Sequence, residues 1–433
     1  MARALRTVMV KSVNLSRKVF RVFVELEGMY RNMVEQLTMY AVRNSIKSFT
    51  RLKALKYREM RSIYPQLPSH YIYTACQNAS TRAKSFLRLK RLGLVEREYP
   101  IVRRVSIWLD DHLWKPNGLT SIRIATHKGW VTVGLEPHKQ YWRYVNRGWK
   151  LASEAKVKLD KGNRQLIIYL TFVKEVKEFK PKGYLPVDVN ENNITVLVDG
   201  IAYLFETNTE KLVLGYYYRR KRVQERYDKL YGRKSRVKRK ALRRLRERRK
   251  KQDIRWKIAG IVVRTAYERR YAIVLEKLGN KPANNMIERI RDKQLRHRIF
   301  QVSFRGIQRA IEGKAREYGV PVIYVNPKNT SKLCPIHRTP INYNNGSRIG
   351  RCSEGGELWH RDVTACWNLL LKVLRGDGSH APSSVGLSFV DVRLVPLASK
   401  ATHDPIGISK SLWARWKSLP QIQYATVLNK MKR

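Results

Sequence analysis

Hydrophobic and polar positions change their spacing along the chain, and each change predicts a different kind of element. Residues 4–15 have the pattern of a β-strand, and between about residues 18 and 95 apolar side chains recur at three- and four-residue intervals, as in helices. One of these helices is predicted to be capped by Ser69 and ended by Gly93. Its apolar face consists of Ile72, Ala75, Cys76, Ala79, Ala83, Phe86 and Leu87.

Residues 98–178 change to β character, with short β-branched segments separated by Gly, Pro or Asn. They predict a small barrel or sheet, which the strand at residues 4–15 can join. Aromatic and basic residues alternate in this region, namely Trp130, Tyr141, Trp142, Arg143, Tyr144, Trp149 and Lys150. Such side chains can stack on bases or belong to the core and rim of the sheet, and the pattern leaves both interpretations open.

From about residue 183 the pattern is that of an α/β domain. Asp188 lies in an apolar strand that leads into a hairpin, Glu276 ends a second buried strand, and Asp362 opens a late helix. Between the two strands, residues 218–270 predict a long helical hairpin that is basic in its first part. The apolar face near its end contains Ile258, Ile261, Val262 and Ala266.

Charge restricts the possible partners. Lys and Arg total 89 against 34 Asp and Glu, a formal net charge of +55 over 433 residues. That excess is self-repulsive without a polyanion, and counterion release makes nucleic acid the natural partner. No membrane partner is expected, because no apolar run approaches the roughly 18–20 residues that span a bilayer. Without a secretory leader or a disulfide framework, the chain is expected to be intracellular.

Basic residues on the helical segments and beside the aromatics are the predicted nucleic-acid contacts. The ordinary interpretation of a charge run is a solvated face or tail. The long run here is internal and continues into an apolar helical face, which favours helices that bind a phosphate backbone. The candidates are Arg82, Arg88, Lys90, Arg143, Arg219, Arg220, Arg222, Arg233, Lys234, Arg236, Lys238, Arg239, Arg243 and Arg244.

Asp188, Glu276 and Asp362 are the candidates for catalysis. Each stands on an apolar strand or helix end in a chain that is otherwise strongly basic. Two divalent cations about 3.5–4 Å apart can activate a water and stabilise the leaving oxygen of a phosphodiester. Because Mg²⁺ prefers carboxylate oxygens, the three acids predict a site for two Mg²⁺ ions. The alternative is that one or more of the acids is structural.

A cysteine and histidine cluster forms a second candidate metal site. Cys334 and His337 have the spacing of one zinc-ribbon turn, and Cys352 begins a second turn. Gly355 stands where the partner of Cys352 is expected. His360 or a water molecule can supply the fourth Zn²⁺ ligand, or the cluster can have lost its metal.

In their order these motifs resemble the RuvC-type nuclease half of the TnpB family, transposon-encoded proteins related to type V CRISPR effectors. The resemblance rests on PVDVNENNITVLVDG, AIVLEKLGN, VNPKNTSKLCPIH and GRCSEGGELWHRDVTACWNLL, between residues 183 and 370. It implies an α+β multidomain fold. A wedge-type β-barrel interrupted by a helical recognition lobe precedes a ribonuclease H-like (RuvC) α/β nuclease domain with an inserted zinc-ribbon-like module.

The resemblance also implies where the domains begin and end. The wedge barrel covers residues 1–17 and 98–182, the recognition lobe 18–97, the nuclease with its basic insert 183–329, the zinc-ribbon-like module 330–358, the last RuvC helix 359–375 and a C-terminal tail 376–433. The tail has no assigned role and is expected to be flexible, with a short helix at residues 411–419.

The function implied by the resemblance is that of an RNA-guided, metal-dependent DNA endonuclease. Its guide RNA comes from the transposon end, its double-stranded target DNA carries a short flanking motif, and it acts as a monomer or a ribonucleoprotein complex. The implied location is a prokaryotic cytoplasm, in association with the nucleoid. Asp188, Glu276 and Asp362 match the three catalytic acids, and the cysteine and histidine cluster matches three of four zinc positions. Two alternatives stay open: an RNA-free, structure-selective DNA nuclease and a nuclease-inactive, RNA-guided DNA-binding protein.

Overall fold

The computed structural model describes residues 2–207, 209–233, 235–279, 282–288, 290–344 and 347–376, and the backbone of residues 415–418. It separates into two compact units, an N-terminal unit of residues 3–175 and a C-terminal unit from Val176 onwards. Lys234 and most of the tail predicted at residues 376–433 lie outside the described residues. The implied domain bounds stay predictions.

The N-terminal unit contains a seven-stranded, nearly closed barrel-like sheet. Its strands are β1 (Ala2–Ser12), β2 (Ile107–Leu109), β3 (Trp114–Pro116), β4 (Ser121–Thr126), β5 (Gly129–Glu136), β6 (Lys150–Asp160) and β7 (Gln165–Val176). Across the sheet they are ordered β2-β6-β7-β1-β5-β4-β3, so the first strand of the chain does join the later ones. The helices α1 (Arg17–Arg43), α2 (Phe49–Ile63) and α3 (His70–Arg91) interrupt the barrel between β1 and β2, and α4 (Lys139–Val145) lies between β5 and β6.

Helix α3 begins and ends where the sequence predicts, directly after Ser69 and shortly before Gly93, but the predicted capping hydrogen bond is absent. Its apolar face is buried, and Gly93 follows its end with φ +66°, a conformation that glycine adopts without strain. Ser69 makes no capping hydrogen bond, so the predicted cap is wrong. The reason is local: the Ser69 backbone is already helical (φ −55°, ψ −31°), whereas a capping side chain needs an extended backbone.

The aromatic residues of the barrel divide between the two interpretations. Tyr144 and Trp149 are buried with a centroid separation of 5.1 Å, so they belong to the core. Trp130 is 42% exposed, and the Arg123 guanidinium lies 5.5 Å from its ring centroid. Trp130 therefore remains a surface ring available for stacking.

The C-terminal unit is built on a six-stranded sheet with a small three-stranded sheet beside it. The strands are β8 (Gly183–Val189), β9 (Asn193–Val198), β10 (Ile201–Glu206), β11 (Tyr271–Glu276), β12 (Val322–Val325), β13 (Ile341–Tyr343), β14 (Ile349–Cys352), β15 (Leu358–His360) and β16 (Arg415–Ser418). The larger sheet is ordered β12-β11-β8-β9-β10-β16; β8, β9 and β10 are antiparallel, whereas β11 runs parallel to both β8 and β12. The smaller sheet is ordered β13-β14-β15.

Seven helices of the C-terminal unit fall within the described residues. They are α5 (Thr209–Tyr231), α6 (Arg236–Arg244), α7 (Glu247–Arg269), α8 (Pro282–Ile287), α9 (Lys293–Val302), α10 (Phe304–Tyr318) and α11 (Arg361–Leu374). The predicted helical hairpin is thus three helices, and α6 buries none of its side chains. Ile258, Val262 and Ala266 of α7 pack into the core of the unit, as their spacing predicted. Among the described helices, none has the length and apolar character needed to cross a membrane.

The helix predicted at residues 411–419 is contradicted by the backbone of residues 415–418. These residues form β16, which pairs antiparallel with β10. An outer strand exposes unpaired backbone donors and acceptors that attract another strand, and this tertiary pairing overrides the local helical pattern.

Candidate active site

The three candidate acids come from elements that pack together in the C-terminal unit. Asp188 lies near the end of β8, Glu276 ends the neighbouring parallel strand β11, and Asp362 lies in the first turn of α11. Helix α11 packs against both strands, with Leu369 and Val373 in a buried cluster that includes Val274 of β11. Strands and helix thus bring three carboxylates, distant in the sequence, into one acid cluster.

Within the acid cluster, Asp188 and Asp362 are buried and Glu276 is partly buried, and the three carboxylates lie close enough for their charges to interact. Asp188 is 9% exposed and Asp362 is 2% exposed. Burial, and then the negative charges of Asp362 and Glu276, raise the pKa of Asp188 well above its usual range. Burial also raises the pKa of Glu276. Buried like charges are costly unless a cation compensates them, so the cluster favours a positively charged partner.

Neutral hydrogen-bond donors hold two of the acids in place. Asn190 donates from Nδ2 to Asp188 Oδ2 at 2.7 Å, and Thr330 donates from Oγ1 to Glu276 Oε1 at 2.8 Å. The Thr330 bond acts against the rise in the pKa of Glu276 that burial causes. In turn, Asn368 of α11 donates to the carbonyl of Thr330 at 2.8 Å. Sequence reasoning missed these residues, although each lies within a motif segment quoted above.

A positively charged side chain, Arg348, contacts the acid cluster directly. Its Nη1 donates to Asp362 Oδ1 at 3.0 Å and to Oδ2 at 2.7 Å. The Arg348 side chain is 49% exposed, so its charge reaches the buried acid from the surface. Its backbone carbonyl accepts from the amide of Arg361, one residue before the acid. Sequence reasoning could not find it, because one arginine among 89 basic residues carries no signal.

The small sheet brings Cys334, His337 and Cys352 together with Glu357, their ligand atoms all within 4.8 Å of one another. His337 Nδ1 lies 3.7 Å from Cys334 Sγ, 3.5 Å from Cys352 Sγ and 3.4 Å from Glu357 Oε1. With Zn²⁺ bond lengths of about 2.0–2.3 Å, the ligand atoms of a tetrahedral site are separated by roughly 3.3–3.8 Å. The separations therefore fit a tetrahedral ion. We call these four residues the ribbon cluster.

Glu357, not His360, completes the ribbon cluster, which corrects the sequence-based candidate for the fourth ligand. His360 is 7% exposed, and its Nδ1 accepts from the amide of Asp362 at 3.3 Å, which caps the start of α11. Burial lowers the pKa of His360, so the neutral acceptor form is favoured. Gly355 makes room for the replacement, since a Cβ there would lie 2.2 Å from His337 Cε1 and 2.3 Å from Glu357 Oε1.

The pKa values of the two thiols in the ribbon cluster shift in opposite directions. Burial raises the pKa of Cys334 to about 11. Burial has the same effect at Cys352, but a hydrogen bond from Thr339 and backbone amides outweigh it and lower the pKa of Cys352. A metal ligand must be a thiolate, so Cys352 is the better prepared of the two.

Most of the predicted nucleic-acid contacts are exposed. Those with exposed side chains are Arg88, Lys90, Arg143, Arg219, Arg220, Arg222, Arg233, Arg236, Arg239, Arg243 and Arg244. Lys238 forms an ion pair with Asp228, and Arg220 forms one with Glu247 at 2.9 Å.

Arg82 departs from the predicted pattern. It is half-buried and donates to Asn78 Oδ1 at 2.8 Å and to the carbonyl of Arg104 at 3.2 Å. Burial lowers the pKa of its guanidinium. Two of its donors therefore have acceptors within the N-terminal unit, which ties the Arg82 side chain to packing there.

Two family models match parts of the chain. The model described as the uncharacterized protein MJ0013 family covers residues 26–125. The model of the Cas12f1-like TNB domain covers residues 304–369, which include α10, the ribbon cluster and Asp362.

A solved structure and two curated relatives are similar to longer parts of the chain. The chain resembles the fold in the cryo-EM structure of a Cas12f1–sgRNA–target DNA complex, with a TM-score of 0.57 and 14% identity over 82% of this chain and 83% of that chain. It is 27% identical over 240 residues to the uncharacterized protein MJ0857 of Methanocaldococcus jannaschii, covering 51% of this chain and 88% of the relative. It is 31% identical over 218 residues to the TnpB-like protein MJ0751 of the same organism, covering 47% of this chain and 74% of that relative. The chain therefore belongs to the TnpB-like family.

Proposed function

We propose that this protein is an RNA-guided DNA endonuclease that hydrolyses phosphodiesters at the acid cluster. The observation that carries the proposal is the convergence of Asp188, Glu276 and Asp362 from β8, β11 and α11. The strand order β12-β11-β8-β9-β10, with β8 in the middle, supports the ribonuclease H-like (RuvC) fold that the sequence implies. Family membership and the fold shared with a Cas12f1–sgRNA–target DNA complex support RNA and DNA as partners.

Mg²⁺ fits the residues of the acid cluster. All three side chains offer carboxylate oxygens, the ligands that Mg²⁺ prefers. Burial and the neighbouring acids raise the pKa of Asp188, so its ionised form needs a nearby cation for stabilisation. Asp188, Glu276 and Asp362 would hold two ions. When bound, such a pair supplies an activated water and stabilises the leaving oxygen of the phosphodiester.

The chain's own residues prepare the cluster. Asn190 and Thr330 fix the orientation of Asp188 and Glu276 through one hydrogen bond each. Because these donors are already in place, the carboxylates do not have to reorganise when substrate arrives. The exposed arginines of α5 and α6 supply phosphate contacts, which position nucleic acid without reading its sequence. Base pairing with the guide would read the sequence instead.

The ribbon cluster would hold a structural Zn²⁺ through Cys334, His337, Cys352 and Glu357. The support is the match between its ligand separations and the edges of a tetrahedron. A closed four-ligand site stabilises the fold around it. Here the ion would stabilise the small sheet β13-β14-β15 and the loop before β14, which contains Arg348.

The test begins with sequencing of the RNA that copurifies when the protein is expressed with its native flanking DNA. A discrete RNA that ends in a variable segment supports the proposal and defines a DNA target. Cleavage of that target should require Mg²⁺, and Asp188→Ala should reduce it at least about 100-fold while RNA binding is retained. Asp253→Ala, which removes one exposed acid from α7, is the matched control.

Two results would contradict the proposal in different ways. Heterogeneous RNA, or none, would favour the RNA-free, structure-selective nuclease. Equal loss of binding and cleavage in Asp188→Ala would mean that Asp188 has a structural role.

A further inference from the structure

A basic pocket of about 520 Å³ opens within the C-terminal unit among α5, α7, α9 and α10. Its volume lies in the range of about 300–1,000 Å³ that is typical of small-molecule sites. The cationic side chains that line it are Arg220, Arg248, Lys251, Arg255 and Arg309. This set gives the pocket a strong preference for anions.

The acid in the lining does not neutralise the pocket. Glu247 accepts hydrogen bonds from Lys251 and Arg220. Burial acts to raise the pKa of Glu247, but these two bonds outweigh it and the pKa lies below its usual value. Glu247 is therefore ionised and already paired. Its charge can balance only one of the two cations that it contacts.

Three arginines in the lining have no acidic partner within the part of the chain that the structure describes: Arg248, Arg255 and Arg309. Arg255 is half-buried, and burial lowers the pKa of its guanidinium. A partly buried guanidinium without an acceptor is costly. An anionic ligand would remove that cost, and a phosphate matches the planar guanidinium well.

Two further residues of the lining, Trp256 and Gly306, bear on what the pocket can hold. Trp256 lines the pocket and is 38% exposed, so its indole offers a stacking surface for a base. Gly306 also lines the pocket, and a Cβ there would lie 2.5 Å from Ser303 Oγ and 3.2 Å from Arg255 Nη1. A side chain at Gly306 would therefore displace the Arg255 guanidinium.

We infer that this basic pocket binds one unpaired nucleotide of a single strand, with its phosphate on Arg255 and Arg309 and its base on Trp256. The inference rests on the proposed function, which supplies nucleic acid as the partner. The pocket is also tied to the acid cluster, because α10 carries Arg309 and, one residue earlier, Gln308. Gln308 donates to the backbone carbonyl of Glu276 at 2.8 Å.

The test compares two double variants of the full-length chain. Arg255→Gln with Arg309→Gln removes two charges from the pocket. Arg264→Gln with Arg316→Gln removes two exposed charges from the same helices, α7 and α10, outside the pocket lining. The probes are short synthetic single strands, one of uridines and one of thymidines. Binding is measured against salt concentration, and thermal unfolding checks that each variant is folded.

The pocket variant should bind the strands about tenfold or more weakly than the control variant. Its slope of log affinity against log salt should be smaller by about 0.7, the value for the one phosphate that the two arginines contact. A preference for the uridine strand would identify guide RNA as the source, and a preference for the thymidine strand would identify displaced DNA. Equal losses in the two double variants would overturn the inference.

Trp256→Ala separates stacking from charge, and because Trp256 is partly exposed its loss should leave the fold intact. Affinity for the uridine strand should fall about 5- to 150-fold, whereas affinity for an abasic strand of the same length should not change. Equal loss for both strands would overturn the assignment of the base to Trp256. Because the probes are synthetic, absence of a discrete cellular RNA would defeat the proposed function and leave this test valid.

Discussion

The Nη1 atom of Arg348 lies 2.7 and 3.0 Å from the two carboxylate oxygens of Asp362. Arg348 immediately precedes β14, the strand that ends at Cys352 of the ribbon cluster. The small sheet thus places a positive charge on one of the proposed metal ligands. A divalent cation at Asp362 must compete with that charge.

Arg348→Gln should strengthen divalent-ion binding at the acid cluster. Removal of the competing guanidinium should lower the half-saturating Mn²⁺ concentration about 3- to 10-fold, a modest effect because Arg348 is half-exposed. Electron paramagnetic resonance of free Mn²⁺, in the absence of nucleic acid, measures the change. Arg351→Gln, on an exposed position of β14, is the control. Unchanged or weaker Mn²⁺ binding in Arg348→Gln would show that the ion pair does not oppose the metal.

Asp188→Asn should stabilise the metal-free protein at neutral pH. Because the folded-state pKa of Asp188 is raised, the stability that its neutral form contributes is present at low pH and is lost as pH rises through the folded pKa. Asparagine stays neutral, so the variant keeps that contribution. Each kcal/mol of unfolding free energy that the variant retains should raise Tm by at most about 2–4 °C in a chain of this size.

Thermal unfolding with and without Mg²⁺ checks this prediction. Mg²⁺ should raise the Tm of the wild-type protein and have much less effect on Asp188→Asn, because the variant lacks one ligand. Asp253→Asn, at an exposed position on α7, should behave like the wild type. A lower metal-free Tm in Asp188→Asn than in the wild type would contradict the argument.

Thr330→Val should move the acidic limb of the pH–rate profile to higher pH. The hydroxyl of Thr330 lowers the pKa of Glu276 against the effect of burial, so its loss leaves burial unopposed and the pKa rises further. Cleavage should slow about 3- to 10-fold on the acidic limb and approach the wild-type rate on the alkaline plateau. A uniform loss at every pH would instead indicate a displaced Glu276.

Cys352→Ser should abolish zinc binding, and Glu357→Gln should weaken it about 10-fold or more. Loss of the carboxylate removes the charged oxygen that lies 3.4 Å from His337 Nδ1. Zinc content and competition with a chromophoric chelator measure both effects. Glu354→Gln changes a neighbouring exposed acid and should retain the metal. A wild-type protein without zinc, or equal weakening by Glu354→Gln, would disprove the proposed ligand set.

Local sequence patterns predicted the elements that carry the acid cluster. Asp188 and Glu276 were recognised as strand residues because buried strands appear as short apolar runs, a property of neighbouring positions alone. The apolar face of α3 and its end at Gly93 were predictable for the same reason, since periodicity and glycine conformation act within a few residues. Net charge likewise follows from composition and indicated nucleic acid before any fold was known.

Tertiary structure decided the partners of individual side chains. Arg82 was expected on a nucleic-acid surface, but its hydrogen bond to the Arg104 carbonyl comes from a segment distant in the sequence. Likewise, β16 formed beside β10 although its sequence favours a helix, because an open strand edge is not visible locally. Arg348 contacts Asp362, and Glu357 replaces His360 in the ribbon cluster, because three strands fold back on one another. Such pairings depend on chain reversals that no local period encodes. The sequence therefore identified the candidate site residues, and the fold selected their neighbours.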